Sequence, residues 1–425
     1  MTTSPASGHH RFQTLVPLAL AAILLLGASR LKIESSCSKT SCKHVLQRVF
    51  SFTAMHKTKI RNDDGGDDEH IYHDALRNGS CNVFEGAWVL DESNPRPLYT
   101  EESCPYLTTQ VTCLSNGRPD SLYQKWRWKP HACQLPRFDA LKLLESLRNK
   151  RLMFIGDSLQ RTQWESMVCL VESAIPDSKK SMTKIPPRRI FMAEEYNASI
   201  EFYWAPFLVE SNADHATKHH VQKRQVKLDS ISKHSKNWEG VDVLVFESYV
   251  WWMNKPLINA TIGSLEMKEY NVTTAYRLAL QTLGKWLDST MNPLTQKAFF
   301  MSLSPTHIWS WEWNSGSNGN CFNEATPIQA PYWGIGSSHQ IMDAVRDTLQ
   351  DLKVNVTLLN ITQLSEYRKD GHTSVYTERQ GKLLTFEQRS QPEIYADCVH
   401  WCLPGVPDTW NEILYMYLLY GPSRH

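Results

Sequence analysis

The sequence has no excess of charge of either sign. Its 425 residues include 45 Lys and Arg against 44 Asp and Glu, which gives a formal net charge of +1. A protein that coats nucleic acid needs a basic excess, so this class is excluded. A mean hydropathy of −0.42 likewise excludes a protein with many membrane spans. With 41% hydrophobic residues, the chain can still bury a large core, in one large domain or two ordinary ones.

Several active-site motifs are also missing. The sequence has no Gly-x-Ser-x-Gly, Walker loop, Gly-x-Gly-x-x-Gly or His-Glu-x-x-His, which argues against α/β-hydrolases, nucleotide-phosphate and dinucleotide enzymes, and zincins. Cys398, His400 and Cys402 resemble a zinc cluster, but no second cluster with ligand spacing accompanies them. The three histidines between His215 and His220 lie in a Lys-rich polar stretch typical of a solvated loop. We therefore predict no metal site.

One long hydrophobic run is present, at Leu15–Ala28, and only Pro17 interrupts it. Basic residues flank it on both sides, which is typical of a single signal-anchor at the short end of spanning length. This interpretation makes 1–13 a cytosolic tail and 14–29 the transmembrane segment. A cleaved signal peptide is the alternative, because small residues at 27–29 resemble a cleavage site. In either case the bulk of the chain lies on the non-cytosolic side.

Sequons and cysteines support this placement. Six Asn residues are followed two positions later by Ser or Thr, as N-glycosylation requires: Asn78, Asn197, Asn259, Asn271, Asn355 and Asn360. Ten cysteines, an even number, predict disulfides in an oxidising compartment: Cys37, Cys42, Cys81, Cys104, Cys113, Cys133, Cys169, Cys321, Cys398 and Cys402. The pairing stays open, with Cys81–Cys133 and Cys104–Cys169 as the two pairs we favour.

The remaining chain divides by composition. Residues 30–80 are polar, charged and turn-rich, which is typical of a stem. Residues 81–136 form a Cys-rich part, and residues 137–425 form a catalytic domain.

In the catalytic domain, apolar runs predict strands at 151–155, 241–246 and 298–303. Helical patterns lie around them at 139–148, 158–172, 274–290 and 340–352. Strands alternating with helices predict an α/β fold whose parallel sheet is covered on both faces.

The sharpest chemical signal is Gly156-Asp157-Ser158, where a buried strand meets the start of a helix. Gly allows a tight turn, and a helix N-terminus offers free N–H groups where an oxyanion would develop. Ser158 is therefore a candidate nucleophile, with Gly156 and Asp157 as candidate oxyanion and positioning residues. The alternative is that Ser158 only caps the helix.

A serine nucleophile needs a base, usually a His oriented by a carboxylate. Asp397 and His400 provide both on one short segment, between Cys398 and Cys402. The spacing alone is weak, since Asp67 and His70 in the stem repeat it. The setting favours the C-terminal copy, because two flanking cysteines would hold that segment rigidly.

Fifteen tryptophans are present, and several follow predicted strands. Flat aromatic faces stack on sugar rings, so Trp-lined loops predict a glycan groove, with core packing as the alternative for each Trp. The candidate acceptor-binding residues are Trp251, Trp252, Trp309, Trp401 and Arg161.

Gly156-Asp157-Ser158 together with Asp397-x-x-His400-Trp-Cys-Leu-Pro-Gly405 resembles the plant trichome-birefringence-like proteins, which are Golgi polysaccharide O-acetyltransferases. The resemblance runs from about Cys81 to Tyr420 and includes three further motifs: Cys81-Asn-Val-Phe-Glu-Gly-Ala-Trp-Val89, Trp126-Arg-Trp-Lys-Pro130 and Ser304-Pro-Thr-His307. The segments 195–204 and 319–324 are most similar to the xylan-acetylating branch.

The resemblance implies a three-layer fold similar to Gly-Asp-Ser-Leu (SGNH) esterases, with a smaller disulfide-stapled lobe. It assigns the roles of nucleophile, orienting acid and base to Ser158, Asp397 and His400. Many relatives carry an Asn in the strand-end motif where this chain has Glu247. The expected oxyanion donors are therefore backbone groups of Ser158 and Gly156.

The implied function is acetyl transfer to O-2 or O-3 of xylosyl residues through an acetyl-serine, in a single-pass type II Golgi membrane protein. No tightly bound cofactor is expected, but an acetyl donor is required, either acetyl-CoA or another carrier. The expected partners are xylan or a related polysaccharide and the membrane, with no nucleic acid. Transfer to another wall polysaccharide, an acetyl esterase and a non-catalytic glycan binder remain the alternatives.

Overall fold

The computed structural model describes residues 81–421 except 92–96, 219–222, 254, 264–265 and 330. The predicted tail, anchor and stem, with Cys37, Cys42 and Asn78, lie outside the described residues.

The strands are β1 Gly86–Leu90, β2 Trp126–Pro130, β3 Arg151–Gly156, β4 Lys180–Ile185, β5 Arg188–Ala193, β6 Ala198–Trp204, β7 Gln225–Lys227, β8 Val243–Phe246, β9 Leu257–Thr261, β10 Lys268–Asn271, β11 Lys297–Met301, β12 Val356–Leu359, β13 His372–Ser374, β14 Glu378–Arg379, β15 Lys382–Leu383 and β16 Asp397–Trp401.

Helices lie between these strands and after the last one. They are α1 Ala140–Ser146, α2 Ser158–Glu172, α3 Ser232–Ser235, α4 Val272–Thr290, α5 His339–Gln350, α6 Thr362–Glu366, α7 Phe386–Arg389, α8 Pro392–Tyr395 and α9 Val406–Tyr420. The three predicted strands and four predicted helices are confirmed, with shifts of a few residues at their ends. The bounds of α2 match those predicted.

A seven-stranded sheet forms the centre of the fold, in the order β12-β11-β8-β3-β6-β5-β4. β12, β11, β8, β3 and β6 are parallel, whereas β5 is antiparallel to both of its neighbours. From β3 the chain crosses through α2 to β4 on one side, and from β8 it crosses through α4 and α5 to β11 and β12 on the other. Because such crossovers are right-handed, α2 covers one face and α4 and α5 cover the opposite one. The predicted three-layer α/β fold is confirmed.

The centre of the sheet is apolar because its strands are covered on both faces. Leu152, Met153, Phe154 and Ile155 of β3 are all buried, as is every residue of β8. α9 packs against α2, and the side-chain nitrogen of Asn411 donates to the carbonyl of Gln163 at 2.9 Å. The carboxyl end of β3 lies where the strand order reverses direction, which is the usual place for a site in an open α/β sheet.

The Cys-rich segment shares the core of the sheet domain. β1 and β2 pair as an antiparallel hairpin with Trp88 opposite Trp128, and both rings are buried in the main hydrophobic cluster. The Trp88 indole N–H donates to the carbonyl of Leu364 at 2.7 Å. The favoured disulfides Cys81–Cys133 and Cys104–Cys169 are both formed. The segment is thus held to the rest of the fold by apolar packing and a covalent link to α2.

Candidate active site

Ser158 lies at the turn that joins β3 to α2. Gly156 ends the strand, and a Cβ at that position would lie 2.3 Å from the carbonyl oxygen of Glu247, so only Gly fits. Asp157 is the N-cap of α2, because its carboxylate accepts from the backbone N–H of Leu159 at 2.8 Å. Ser158 is therefore the first helical residue and not the cap. Its backbone N–H belongs to the first turn, whose N–H groups have no acceptor within the helix.

Ser158, His400 and Asp397 form one hydrogen-bonded chain. The hydroxyl oxygen of Ser158 lies 2.7 Å from Nε2 of His400, and Nδ1 of His400 lies 2.7 Å from a carboxylate oxygen of Asp397. The three predicted residues are brought together across 242 sequence positions. This order of hydroxyl, imidazole and carboxylate is the arrangement that allows an imidazole to remove a serine proton.

The carboxylate of Asp397 is held in its ionised form. Burial by itself raises the pKa of Asp397, but the His400 imidazole and two backbone N–H groups more than offset this and hold the pKa well below its usual range. Those N–H groups belong to Val399 and His400, and each donates to the same carboxylate oxygen at 3.0 Å. An ionised Asp397 accepts from Nδ1 and so leaves Nε2 of His400 free to face Ser158.

The segment that carries His400 is fixed at both ends. β16 pairs with β13, and disulfides tie Cys398 to Cys321 and Cys402 to Cys113. In these bonds neither the Cys398 sulfur nor the Cys402 sulfur is available as the thiolate that a zinc site would need. No group of three or more His, Cys, Asp or Glu side chains among the described residues is arranged to hold a metal ion.

A buried carboxyl pair is formed by Asp157, which directly precedes the nucleophile, and Glu247, and sequence reasoning missed the pairing. Burial raises the pKa of Asp157 to about 6, and burial together with Asp157 raises the pKa of Glu247 well above its usual value. Oδ2 of Asp157 and both carboxyl oxygens of Glu247 are buried and have no N–H or hydroxyl donor among the described residues, so the two groups are stable together only if one of them carries a proton. Glu247 therefore acts as a neutral donor to Asp157, the residue that caps α2. Asp157 is among the predicted positioning residues and Glu247 replaces the Asn of many relatives, but no local pattern in the sequence indicates that the two side chains meet.

The candidate acceptor-binding residues differ in how far their side chains are exposed. Trp252 and Trp401 are buried, and their indole N–H groups donate to Ser248 and Ser304, each at 2.9 Å. Their rings lie in the core, out of reach of a polysaccharide. Trp309 is 44% exposed, and its neighbour Trp311 is 49% exposed.

The other two candidates are held by neighbouring side chains. Trp251 is buried and lies 4.8 Å beneath the guanidinium of Arg224. Arg161 pairs with Glu165 at 3.4 Å and donates to Gln110. Of the five candidates, only Trp309 presents an exposed aromatic ring.

The sequons have different surroundings. Asn197, Asn271 and Asn355 are exposed, whereas Asn259 and Asn360 are half-buried. Asn271 also caps α4 through its side-chain oxygen, which accepts from the N–H groups of Thr273 and Thr274. Glycosylation of these residues stays a prediction. Among the described residues, every helix is too short or too polar to cross a membrane.

The chain matches two family models that together span residues 79–417. Residues 135–417 match a GDSL/SGNH-like acyl-esterase family found in Pmr5 and Cas1p, and residues 79–134 match the PMR5 N-terminal domain. The fold and the first of these matches define the class: a GDSL/SGNH-like protein of the acyl-esterase type. The predicted kinship with this class of esterases is therefore confirmed.

Curated relatives place the chain more narrowly. It is 58% identical over 421 residues to protein trichome birefringence-like 31 of Arabidopsis thaliana, covering 99% of this chain and 98% of the relative. It is 50% identical over 354 residues to xylan O-acetyltransferase 6 of Oryza sativa subsp. japonica, covering 81% and 63% respectively. It is 48% identical over 346 residues to probable xylan O-acetyltransferase 10 of the same species, covering 80% and 78%. The chain belongs to the trichome birefringence-like family.

Proposed function

We propose that the protein is an O-acetyltransferase that moves an acetyl group from a donor to a xylosyl hydroxyl of xylan through an acetyl-Ser158 intermediate. The observation that carries this proposal is the hydrogen-bonded chain from Ser158 through His400 to Asp397, with both contacts at 2.7 Å. The acceptor is inferred from relatives that are named xylan O-acetyltransferases.

In the first step Ser158 becomes acetylated. Nε2 of His400 takes the hydroxyl proton as the serine oxygen attacks the carbonyl carbon of the donor. The tetrahedral intermediate collapses with release of the donor's carrier, which leaves with the proton from His400. Asp397 keeps the proton on Nδ1 and stabilises the imidazolium that forms between these events.

In the second step the acetyl group passes to the sugar. His400 removes the proton of a xylosyl hydroxyl, whose oxygen attacks the acetyl-serine carbonyl. The second tetrahedral intermediate releases the sugar acetate, and Ser158 regains its proton from His400. In both steps the negative oxygen would develop near the N-terminus of α2, where backbone N–H groups and the helix dipole favour it.

Transfer must compete with hydrolysis, because water attacks the same acetyl-serine. A bound acceptor hydroxyl gains through its high effective concentration at the carbonyl. The backbone N–H of His307, two residues before Trp309, donates to the carbonyl of Cys398 at 3.1 Å, so the loop that carries Trp309 is attached to the catalytic segment. We assign the exposed rings of Trp309 and Trp311 to the acceptor surface on this ground.

The proposal includes the compartment. Four disulfides among the described residues support an oxidising environment. Together with the predicted signal-anchor, they favour a single-pass type II protein with its catalytic domain in the Golgi lumen. The acetyl donor is proposed as a diffusible substrate, either acetyl-CoA or another acetyl carrier.

The test is to incubate the full-length protein with defined xylo-oligosaccharides and an acetyl ester, and to locate any new ester by NMR. The proposal predicts acetate at O-2 or O-3 of a xylosyl residue, and none with S158A. Free acetate without a sugar ester would indicate an esterase. Binding of xylo-oligosaccharide without any turnover would indicate a non-catalytic glycan binder. Transfer by a folded S158A protein would contradict the proposed mechanism.

A further inference from the structure

Two buried histidines form a chain of contacts that ends on the backbone of His400. Nδ1 of His307 lies 2.7 Å from Nε2 of His372. Nε2 of His307 lies 2.8 Å from the carbonyl oxygen of Glu366, and Nδ1 of His372 lies 3.1 Å from the carbonyl oxygen of His400. Both rings are almost completely buried, with 0% and 1% exposure. Their nitrogens therefore depend on these protein contacts.

The contacts require more hydrogens than two neutral rings possess. A neutral imidazole has one N–H and one bare nitrogen. The two rings make three contacts in a row. The groups at both ends of this row are carbonyl oxygens, which can only accept hydrogen bonds. Three hydrogens are needed to fill the contacts, whereas neutral His307 and His372 supply two. The neutral pair leaves one contact as two facing lone pairs, and one additional proton completes all three.

The distances indicate which contact the neutral pair leaves unfilled. The contact from His307 to Glu366 and the contact between the two rings are the shorter ones, at 2.8 and 2.7 Å. With hydrogens on Nε2 of both rings, these two contacts are filled. The contact from His372 to the His400 carbonyl, at 3.1 Å, is then the one without a hydrogen. An additional proton would therefore arrive at Nδ1 of His372.

The groups around the two rings determine the pH range in which the pair takes up the additional proton. Burial lowers the pKa of His307 to about 4 and holds the pKa of His372 well below its usual value, so the pair is neutral at neutral pH. The carbonyl of Glu366 favours the proton on His307, and the carbonyl of His400 favours it on His372. The Trp401 ring stacks on His372 with centroids 4.0 Å apart, a face that also stabilises a cation.

Charged groups from neighbouring elements face the pair. Asp370 favours a proton on His307 and Lys369 opposes it, while Asp397 favours a proton on His372 and His400 opposes it. Asp370 and Lys369 are themselves paired with Arg368 and Glu324, which reduces their influence.

We propose that His372 is a positioning residue for His400. On acidification the His307–His372 pair takes up a third hydrogen, and the new N–H at Nδ1 of His372 holds the backbone carbonyl of His400. This inference rests on the proposed function, because it concerns the residue assigned as general base. It adds to the contact with Asp397 a second attachment of His400, through its backbone carbonyl.

The proton count is tested apart from catalysis. The S158A protein, labelled with ¹⁵N-histidine, is titrated by NMR while its ring nitrogens are observed. The expected result is that His307 and His372 change together, with one midpoint below the ordinary histidine value of about 6.5. Two independent midpoints, or rings that stay neutral until the protein unfolds, would overturn the inference. Because S158A lacks the nucleophile, this result does not depend on whether acetyl transfer occurs.

The positioning role is tested with two matched variants in the full-length protein. H372N places its amide near the former Nδ1 and can donate to the His400 carbonyl at every pH. H372Q places its amide near the former Nε2, where it can contact only His307. Below the midpoint of the pair, where the wild type makes this contact, we expect kcat to be about tenfold lower in H372Q and less than about threefold lower in H372N, with KM unchanged in both. Above the midpoint, where the wild type lacks this hydrogen, H372Q and the wild type should differ much less.

The pH profile separates positioning from a general packing role. The wild-type kcat should show the ionisation of the pair on its acid side, and H372N should lack that ionisation. Equal losses of kcat in the two variants, or the same acid-side ionisation in H372N as in the wild type, would overturn the role. Thermal unfolding of both variants verifies that they are folded. A wild-type protein without acetyl transfer would refute the proposed function and leave the NMR result standing.

Discussion

Nε2 of His400 lies 2.7 Å from the hydroxyl oxygen of Ser158, although 242 positions separate the two residues. Ser158 is fixed by the turn between β3 and α2, and His400 is fixed by the pairing of β16 and by two disulfides. Two separate rigid parts of the fold thus set one proton-transfer distance. Changes that loosen either part should lower catalysis before they unfold the protein.

Replacing the orienting acid should give the wrong imidazole tautomer. In D397N the amide keeps the shape of the carboxylate but can donate to Nδ1 of His400, which moves the imidazole proton to Nε2. We expect kcat to fall by about 10³–10⁴-fold. The matched control is D177N, at a carboxylate that is 97% exposed, and it should retain full activity. A D397N protein with near wild-type kcat would contradict the assigned role.

The same substitution should change how stability depends on pH. The depressed pKa of Asp397 means that its ionised form stabilises the fold above the ordinary value of about 3.9 and that this contribution disappears as the pH falls below it. D397N should therefore lower the unfolding temperature near neutral pH and lower it less in acid. Thermal unfolding across this range checks the sign. A deficit that grows toward acid would contradict it.

The buried carboxyl pair, Asp157 and Glu247, predicts a pH dependence of stability with the opposite sign. Because the pKa of Asp157 is raised to about 6, the folded state binds more protons than the unfolded state between about pH 4 and pH 6, so stability falls as the pH rises through this window. E247Q keeps a donor to Asp157 and removes one ionisable group. The unfolding temperature of E247Q, measured relative to that of the wild type, should therefore increase as the pH rises. E247A supplies no donor and should be less stable throughout, whereas parallel curves for E247Q and the wild type would contradict the shared proton.

Two disulfides of similar loop length should differ in their effect on activity. Cys321–Cys398 and Cys81–Cys133 span 77 and 52 residues, so removing either should cost a similar stability, roughly 2–5 kcal/mol. Only the first is attached next to Asp397. Changing both cysteines to Ser should therefore lower kcat more at Cys321–Cys398, when the proteins are compared well below their unfolding temperatures. Equal kcat values would show that the bridge does not position the triad.

The exposed ring of Trp309 should affect binding of the sugar acceptor and should not affect reaction with the acetyl donor. W309A removes a ring that is 44% exposed and should raise KM for xylo-oligosaccharides by about 2- to 10-fold. Hydrolysis of a small acetyl ester should stay unchanged, because it needs no sugar. W309F retains a stacking face and is the control, with an intermediate KM. An equal effect of W309A on sugar transfer and ester hydrolysis would place Trp309 outside the acceptor surface.

Local patterns were sufficient to predict the central strands and to single out the three side chains that the structure brings into contact, Ser158, His400 and Asp397. β3 and β8 are unbroken apolar runs, and Ser158 and His400 each lie in a short motif whose chemistry can be read directly. β6 was missed because Ser199 and Glu201 give it a polar pattern. Both are buried, and Glu201 is stabilised by an ion pair with Arg151 at 2.7 Å, a contact that only the fold creates.

Burial of the tryptophans could not be predicted from sequence for a related reason. Trp252 and Trp401 can be buried because Ser248 and Ser304 accept their indole N–H groups. The partner of an indole N–H is set by tertiary packing, so the same residue type lies in the core at 401 and on the surface at 309. The carboxyl pair and the histidine pair were missed on the same grounds, since their members come from separate elements.

The most direct measurement is mass spectrometry of the protein after single-turnover incubation with an acetyl donor in the absence of sugar. The account predicts one added acetyl group, located on the peptide that contains Ser158, and its loss when xylo-oligosaccharide is added. H400A should form this adduct far more slowly. Acetylated sugar produced at the normal rate, with no acetyl group on Ser158 at any time point, would contradict the account.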